Sequence, residues 1–266
     1  MEIAHKNRVV LVTGAGSGIG AAVARAFCSE GAKTVFVDID RDRLEQAIDC
    51  CGSLARPKQC DVSSRREVEK VFQEVERTYG LLHVLVTCAA VLEGGGVTEI
   101  EEESLERTID INIKGYVYTT TYAIPLMRKA GYGRIIYLNS SSGLKASAGL
   151  PLYSASKYFN RGFAISTALE VGKDSITANS VCPSDVYPEG DLEARSWRDS
   201  SLLDISLEKE GVDTLEELIE KRREKNPMKR HCTTDDIVNL VLFLASEQAG
   251  FINGQSIGLN GGQLPY

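Results

Sequence analysis

Short apolar runs rich in β-branched residues alternate along the chain with longer segments whose apolar residues recur every three or four positions. The short runs are typical of buried strands, and we predict seven, at residues 9–12, 34–37, 58–60, 84–86, 134–138, 177–181 and 255–259. Several are apolar at consecutive positions, as expected of strands that helices cover on both faces. The run at 58–60 is the weakest of the seven.

The longer segments predict helices at residues 19–30, 41–50, 64–79, 104–129, 153–171 and 234–246. In the third of them Val68, Val71, Phe72 and Val75 form one apolar stripe on an otherwise charged helix. Strands that alternate with helices predict a parallel sheet with right-handed crossovers. We therefore expect one α/β domain over residues 1–266, with a doubly wound, seven-stranded parallel sheet and helices on both faces.

One connection is unusually long. About fifty residues separate the strand that ends near Val181 from the helix that begins near Thr234. This connection contains the only tryptophan, Trp197, and a capping box at Thr214 that predicts a short amphipathic helix. Insertions after the carboxyl end of a strand lie beside the ligand crevice of such sheets. We interpret residues of about 187–226 as a substrate lid, with surface decoration as the alternative.

Composition excludes several classes of protein. The chain has 30 Lys and Arg against 37 Asp and Glu, a net charge of −7, which argues against a nucleic-acid footprint or a polybasic membrane patch. Its most apolar stretch, 237–245, has less than half of the about twenty residues that a membrane span needs. Seven cysteines without a Cys-x-x-Cys pair indicate reduced thiols in a cytoplasmic protein. The three histidines lack partners at metal-ligand spacing, so no metal is predicted.

A glycine cluster lies between the first predicted strand and the first predicted helix. Residues 13–20 read Thr-Gly-x-x-x-Gly-x-Gly, and Ile19 interrupts a strict Gly-x-Gly-x-x-Gly pattern. Glycines permit a tight turn and let backbone N–H groups approach a pyrophosphate at a helix N-terminus. Because no Lys-Ser/Thr ending follows, the cluster is not the phosphate loop of a nucleotide hydrolase. The alternative is a purely structural turn.

Asp38 ends the second predicted strand, about twenty residues after the glycines. A carboxylate there can bind the adenosine ribose and repel a 2′-phosphate, which favours NAD(H) over NADP(H). Two alternatives remain: Asp38 caps the following helix, or Arg41 and Arg43 bind a 2′-phosphate.

Tyr153 and Lys157 are four residues apart in a predicted helix and so lie on one face. A phenol has a pKa of about 10, too high for a good base at neutral pH. A nearby ammonium favours the phenolate, as an oxidised nicotinamide would. Such a pair is commonplace by itself.

With further segments, however, the chain from Val9 to Gly262 resembles the short-chain dehydrogenase/reductase family, which has a Rossmann-type fold. Five motifs occur in order at the family's spacings: the turn at 13–20, Asp61-Val62, Asn112, Ser140, and the Tyr153-x-x-x-Lys157 pair. The segment Asn260-Gly261-Gly262 also resembles the family's closing strand.

The resemblance implies roles for these residues. Tyr153 would be the general acid/base, Ser140 would hold the substrate oxygen, Lys157 would lower the tyrosine pKa and bind the nicotinamide ribose, and Asn112 would support a water-linked proton relay. The implied NAD contacts are Gly14, Ser17, Gly18, Ile19, Gly20, Asp38, Ile39, Asp61, Val62, Ala89, Ala90, Tyr153, Lys157, Pro183, Ser184 and Val186. A homo-oligomer, tetramer or dimer, is also implied.

Two segments depart from the family pattern. Thr87-Cys88-Ala89-Ala90 replaces the usual Asn-Asn-Ala-Gly after the fourth strand, so the usual strand-fixing amides are missing. We expect Cys88 to be a small buried hydrophobe and not a nucleophile. Pro183-Ser184 replaces Pro-Gly, and Pro188 stands where a threonine commonly contacts the cofactor, which leaves the Val186 backbone to hold the carboxamide.

The substrate is the least determined feature. The C-terminal third and the serine segment at 139–143 look most like sorbitol-6-phosphate dehydrogenases and related polyol dehydrogenases of the family. We predict substrate contacts from Ser140, Lys145, Tyr153 and Trp197, and a phosphate would be met by Lys145, Arg195, Arg198 or Arg230. The alternatives are a hydroxysteroid or bile-type alcohol under an apolar lid, or a dinucleotide sensor without turnover.

Overall fold

The computed structural model describes residues 5–187 and 201–264. Seven strands form one sheet: β1 (Val9–Thr13), β2 (Lys33–Asp38), β3 (Ala55–Gln59), β4 (Val84–Thr87), β5 (Gly133–Leu138), β6 (Ile176–Pro183) and β7 (Ser256–Leu259). Their order is β3-β2-β1-β4-β5-β6-β7, and every pair is parallel. The predicted seven-stranded, doubly wound, Rossmann-type sheet is confirmed.

Nine helices lie within the described ranges: α1 (Gly18–Ser29), α2 (Arg41–Ile48), α3 (Arg65–Tyr79), α4 (Glu102–Thr108), α5 (Gly115–Ala130), α6 (Pro151–Val171), α7 (Ser201–Glu210), α8 (Leu215–Lys225) and α9 (Thr234–Ala245). Val10 and Val12 of β1 pack into an apolar cluster with α1 and α9. Val9 and Leu11 point the other way, into a cluster with α3, α5 and α6. Alternate side chains of β1 therefore pack on opposite faces of the sheet, and helices cover both faces, as predicted.

The segment predicted as one helix over residues 104–129 is divided. A π-helical segment, Ile109–Lys114, separates α4 from α5 and carries Asn112. Its wider turn is held from outside, because the buried Asn160 of α6 donates a hydrogen bond from Nδ2 to the Asn112 carbonyl at 3.0 Å. Local periodicity does not report such a contact, so the sequence did not reveal the break.

The long connection contributes α7 and α8 between β6 and α9. Thr214 begins α8 as expected, since its hydroxyl accepts from the Glu217 N–H at 3.2 Å. Residues 188–200, with Arg195, Trp197 and Arg198, lie outside the described residues, so the interpretation of Trp197 stays a prediction. In the ranges 5–187 and 201–264, no helix has the length and apolar character needed to cross a bilayer.

Candidate active site

The first of two adjoining cavities lies at the carboxyl ends of the strands, where the strand order reverses between β1 and β4. Open α/β sheets bind ligands at this point. The cavity measures about 560 Å³. Its lining includes the following predicted cofactor residues: Gly14, Ser17, Ile19, Gly20, Asp38, Ile39, Asp61, Val62, Ala89, Ala90, Tyr153 and Lys157. Gly18 begins α1 in the same turn but is not part of the lining.

The glycine turn has no room for side chains at two positions. A Cβ on Gly20 would lie 2.1 Å from the Gly14 carbonyl oxygen. Gly14 has a φ of +65°, and its Cβ would lie 2.8 Å from the Ala89 nitrogen. The turn therefore brings bare backbone to the N-terminal end of α1, where the helix dipole is positive. This cradle and the size of the cavity fit the pyrophosphate of a dinucleotide.

Asp38 connects the turn to the end of β2. Its Oδ2 accepts from the Gly16 N–H at 2.9 Å, and its Oδ1 accepts from the Asp40 N–H at 3.0 Å. These bonds hold the carboxylate at the cavity wall. Arg43 also lines the cavity, but its Nε lies 3.2 Å from Asp40 Oδ2, so Asp40 already balances its charge.

Tyr153, Ser140 and Lys157 meet where α6 crosses the end of β5. Ser140 and Tyr153 both line the second cavity, and Ser140 Oγ accepts from the Ser142 N–H at 3.1 Å. Lys157 Nζ donates to the Leu138 carbonyl at 2.9 Å and lies 5.5 Å from the centre of the Tyr153 ring. The helix thus presents the phenol and the amine to one site, as their spacing predicted.

Burial dominates the electrostatics of this pair. It raises the pKa of the Tyr153 phenol, and the hydrogen bond from Ser140 opposes the rise. Burial also lowers the pKa of the Lys157 ammonium to about 8. In the chain alone the tyrosine pKa is therefore not lowered, and its expected lowering stays a prediction for the state with an oxidised nicotinamide beside it.

Asn112 does not line either cavity, but it positions a residue of the segment after β4, Val91, that lines the first one. Its Oδ1 accepts from the Val91 N–H and its Nδ2 donates to the Val91 carbonyl, both at 2.8 Å. Its own carbonyl accepts from Asn160, a residue that the sequence analysis missed. The available signal was a run of polar residues (Ser156, Lys157 and Asn160) at buried positions of α6.

A threonine of β1 holds the segment after β4, where the family's usual amide side chains are missing. Thr13 Oγ1 accepts from the Cys88 N–H at 3.1 Å and from the Ala89 N–H at 3.3 Å, so its hydroxyl holds the end of this strand. Burial raises the pKa of the Cys88 thiol to about 12. Since the thiolate is the nucleophilic form, Cys88 is suited to packing and not to attack.

The second cavity, of about 280 Å³, shares Tyr153 and Ile19 with the first. The predicted residues Ser140, Pro183, Ser184 and Val186 line it, and so do Asp185, Ser206, Lys209 and Arg222, which the sequence analysis missed. Helices α7 and α8 therefore form part of its wall.

Two of the cations predicted to meet a substrate phosphate lie away from this cavity. Lys145 is exposed and is not in the lining. Arg230 is bound to Asp236 on the side of α9, with Nη2 donating to Oδ1 at 3.0 Å. The proposed substrate role of Lys145 stays a prediction.

Comparison with known proteins agrees with this geometry. The sequence model of the family described as short chain dehydrogenase matches residues 8–199. The chain belongs to the short-chain dehydrogenase/reductase family. A model described as Enoyl-(Acyl carrier protein) reductase matches residues 202–263 of the same short-chain dehydrogenase/reductase chain. The protein is thus an oxidoreductase, and the family to which it belongs binds a nicotinamide dinucleotide.

Three relatives of this short-chain dehydrogenase/reductase match nearly their full lengths. Galactitol 2-dehydrogenase of Agrobacterium fabrum is 33% identical over 258 residues, covering 96% of this chain and 97% of its own. Meso-2,3-butanediol dehydrogenase of Serratia marcescens is 32% identical over 257 residues, covering 96% and 94%. The 3beta-hydroxysteroid dehydrogenase of Mediterraneibacter gnavus is 29% identical over 266 residues, covering 97% and 95%.

Proposed function

We propose that this protein is an NAD(H)-dependent dehydrogenase of secondary alcohols, with sugar alcohols or their phosphates as the favoured substrates. The observation that carries the proposal is the position of Tyr153 in the wall shared by the two cavities, with Ser140 beside it in the lining of the second. One cavity fits a dinucleotide, and the other adjoins it where a small alcohol would meet the phenol.

Asp38 supports NAD(H) as the cofactor. Its carboxylate is held at the cavity wall by two backbone N–H groups, where it would bind the adenosine ribose and repel a 2′-phosphate. The glycine turn would hold the pyrophosphate, and Lys157 the nicotinamide ribose. When bound, the nicotinamide supplies hydride chemistry, as acceptor in oxidation and donor in reduction.

Side chains of this protein would carry out the proton transfer. In oxidation Tyr153 takes the proton of the alcohol, while Ser140 holds the same oxygen by a hydrogen bond. The ammonium of Lys157 offsets the negative charge that then develops on the phenol. Asn112 keeps the backbone at Val91, which lines the cofactor cavity, in place.

The polar second cavity supports a polyol as the substrate. Serine hydroxyls and three charged side chains line it beside Tyr153, and such groups hydrogen-bond a polyhydroxylated molecule. The galactitol and butanediol dehydrogenases among the relatives point the same way. A hydroxysteroid is the second candidate, because Leu92, Leu150 and Val186 add apolar surface and one relative bears that name.

We also propose that the protein is a cytoplasmic homo-oligomer, a tetramer or dimer. Phe159, Ile165 and Leu169 leave apolar surface exposed on α6, with Leu169 83% exposed. Burial of this surface against a second copy would remove it from water.

The test is NADH formation from NAD⁺ with a panel of free polyols, polyol phosphates and steroid or bile-type alcohols. We expect oxidation of polyols and a fall of at least about 100-fold in Tyr153→Phe. Tyr158→Phe is the matched control, because Tyr158 lies on the same helix outside the lining of both cavities, and its hydroxyl donates to the Leu144 carbonyl. A Tyr153→Phe rate near that of the wild type would contradict the role of the phenol. NADH binding without oxidation of any alcohol would indicate a sensor.

A further inference from the structure

Asp185 occupies a fixed position in the wall of the second cavity, which it lines together with Ser140 and Tyr153. It follows β6 after one residue, Ser184, whose N–H donates to the Leu259 carbonyl at 3.1 Å. On its other side Val186 pairs with Cys232 in a parallel bridge. Because both neighbours are bound to other segments, the carboxylate of Asp185 is held at a defined place beside the catalytic hydroxyls.

Arg222 of α8 orients that carboxylate. Its Nη1 donates to Asp185 Oδ1 at 3.0 Å and to the Tyr187 hydroxyl at 3.2 Å, and its Nε lies 3.7 Å from Glu210 of α7. The Arg222 side chain is only 15% exposed. Asp185 is therefore the direct ionic partner of this guanidinium, and Glu210, which also binds Lys225, is a more distant one, so Arg222 does not offer a free cation to an anionic substrate.

Asp185 keeps the capacity to bind a substrate hydroxyl. Its side chain is 31% exposed, and its Oδ2 accepts no hydrogen bond from residues 5–187 or 201–264. An ionised carboxylate is an acceptor only, with two oxygens that each take more than one hydrogen bond. A hydroxyl supplies the donor that such a group needs, whereas a phosphate or carboxylate of the substrate would be repelled.

We propose that Asp185, oriented by Arg222, binds a second hydroxyl of the substrate, so that the enzyme selects uncharged polyols over simple alcohols and over polyol phosphates. This role rests on the proposed function, because it presumes that a secondary alcohol is oxidised at Tyr153. Lys209 also lines the cavity, and a substrate phosphate bound by Lys209 is the competing outcome.

The test compares two substrates that differ by one hydroxyl, 2,3-butanediol and 2-butanol, and measures kcat/KM with NAD⁺. A hydrogen bond to a charged acceptor corresponds to a preference of at least about tenfold for the diol in the wild type. In Asp185→Ala we expect kcat/KM for the diol to fall at least about tenfold more than that for 2-butanol, mostly through KM. Asp204→Ala is the matched control, an exposed aspartate of α7 that is not part of the cavity lining.

Asp185→Asn separates charge from hydrogen bonding and keeps a partner for Arg222. Its amide oxygen can keep the bond from Arg222, and its NH2 group can donate to the hydroxyl oxygen of the diol in place of the Oδ2 acceptor. Most of the preference for the diol should therefore remain, while the ratio of kcat/KM for a polyol phosphate to that for its free polyol should rise several-fold. The proposal is overturned if the wild type prefers the phosphate, or if Asp185→Ala leaves the ratio of diol to 2-butanol unchanged. If the wild type oxidises no alcohol of the panel used to test the proposed function, these two included, that function itself fails, and this role fails with it.

Discussion

The buried amine of Lys157 should make the unfolding free energy of the protein depend on pH. The side chain is 2% exposed, and burial lowers its pKa from the ordinary 10.5 to about 8. Between these two values the unfolded chain binds more protons than the folded chain. Stability in the absence of cofactor must therefore rise with pH across this window and lose that contribution as the pH falls.

The size of the effect follows from the shift of the pKa. At about 1.4 kcal/mol per pH unit, a shift from 10.5 to about 8 corresponds to about 3 kcal/mol of unfolding free energy. Between pH 7 and pH 9.5 the folded protein regains about 2 kcal/mol of this unfolding free energy. The remainder returns at higher pH, because the unfolded side chain is still largely protonated at pH 9.5. Replacing Lys157 by Met removes the titration while keeping a chain of similar length against Tyr116.

The assay is urea unfolding of the wild type and Lys157→Met without cofactor, at pH 7 and pH 9.5. The measured quantity is the unfolding free energy of Lys157→Met minus that of the wild type. We expect this difference to be about 2 kcal/mol larger at pH 7 than at pH 9.5. Lys173→Met is the control, because Lys173 is exposed just beyond the same helix and its loss should produce no such change. If the difference between Lys157→Met and the wild type is the same at both pH values, or larger at pH 9.5, the amine is not destabilised by burial and the reasoning is refuted.

Two further predictions concern the cofactor cavity. Asp38→Asn should raise kcat/KM with NADP⁺ relative to NAD⁺ at least about tenfold, because it removes the charge that repels a 2′-phosphate; an unchanged ratio would assign cofactor choice to another residue. Gly20→Ala should weaken NADH binding in a fluorescence titration at least about tenfold, because the new Cβ would lie 2.1 Å from the Gly14 carbonyl oxygen. Gly162→Ala, where a Cβ meets nothing within 4 Å, should bind NADH like the wild type, and equal affinity in Gly20→Ala would contradict the close-packed turn.

The strands differed in how well their sequence predicted them. Central strands such as β1 are buried on both faces and therefore appear as unbroken apolar runs. Edge strand β3 pairs only with β2 and exposes Arg56, Pro57 and Gln59, so its sequence carries little strand signal and its beginning at Ala55 was missed. Exposure at the edge of the sheet, and not low propensity alone, explains the difference.

The catalytic candidates were selected because five motifs in order resemble those of the short-chain dehydrogenase/reductase family, and local relations explain why the fold brings them to one place. Tyr153 and Lys157 are four residues apart on one helix, and Ser140 follows β5 after one residue, Asn139. A helical repeat and the carboxyl end of a parallel strand place such residues at the crevice without knowledge of the remaining packing.

The sequence by itself determined the class of fold and the glycine turn, because periodicity and spacing act over a few residues, and its resemblance to the family indicated the residues that would carry the chemistry. Only the tertiary structure joined Asp185 to Arg222, 37 positions apart, and Asn112 to Asn160, 48 positions apart. These contacts depend on where α6 packs against the sheet and where α8 lies beside the segment that follows β6, and a local pattern contains no record of that packing. The tertiary structure alone brings together the residues that orient the site and those that we propose select the substrate.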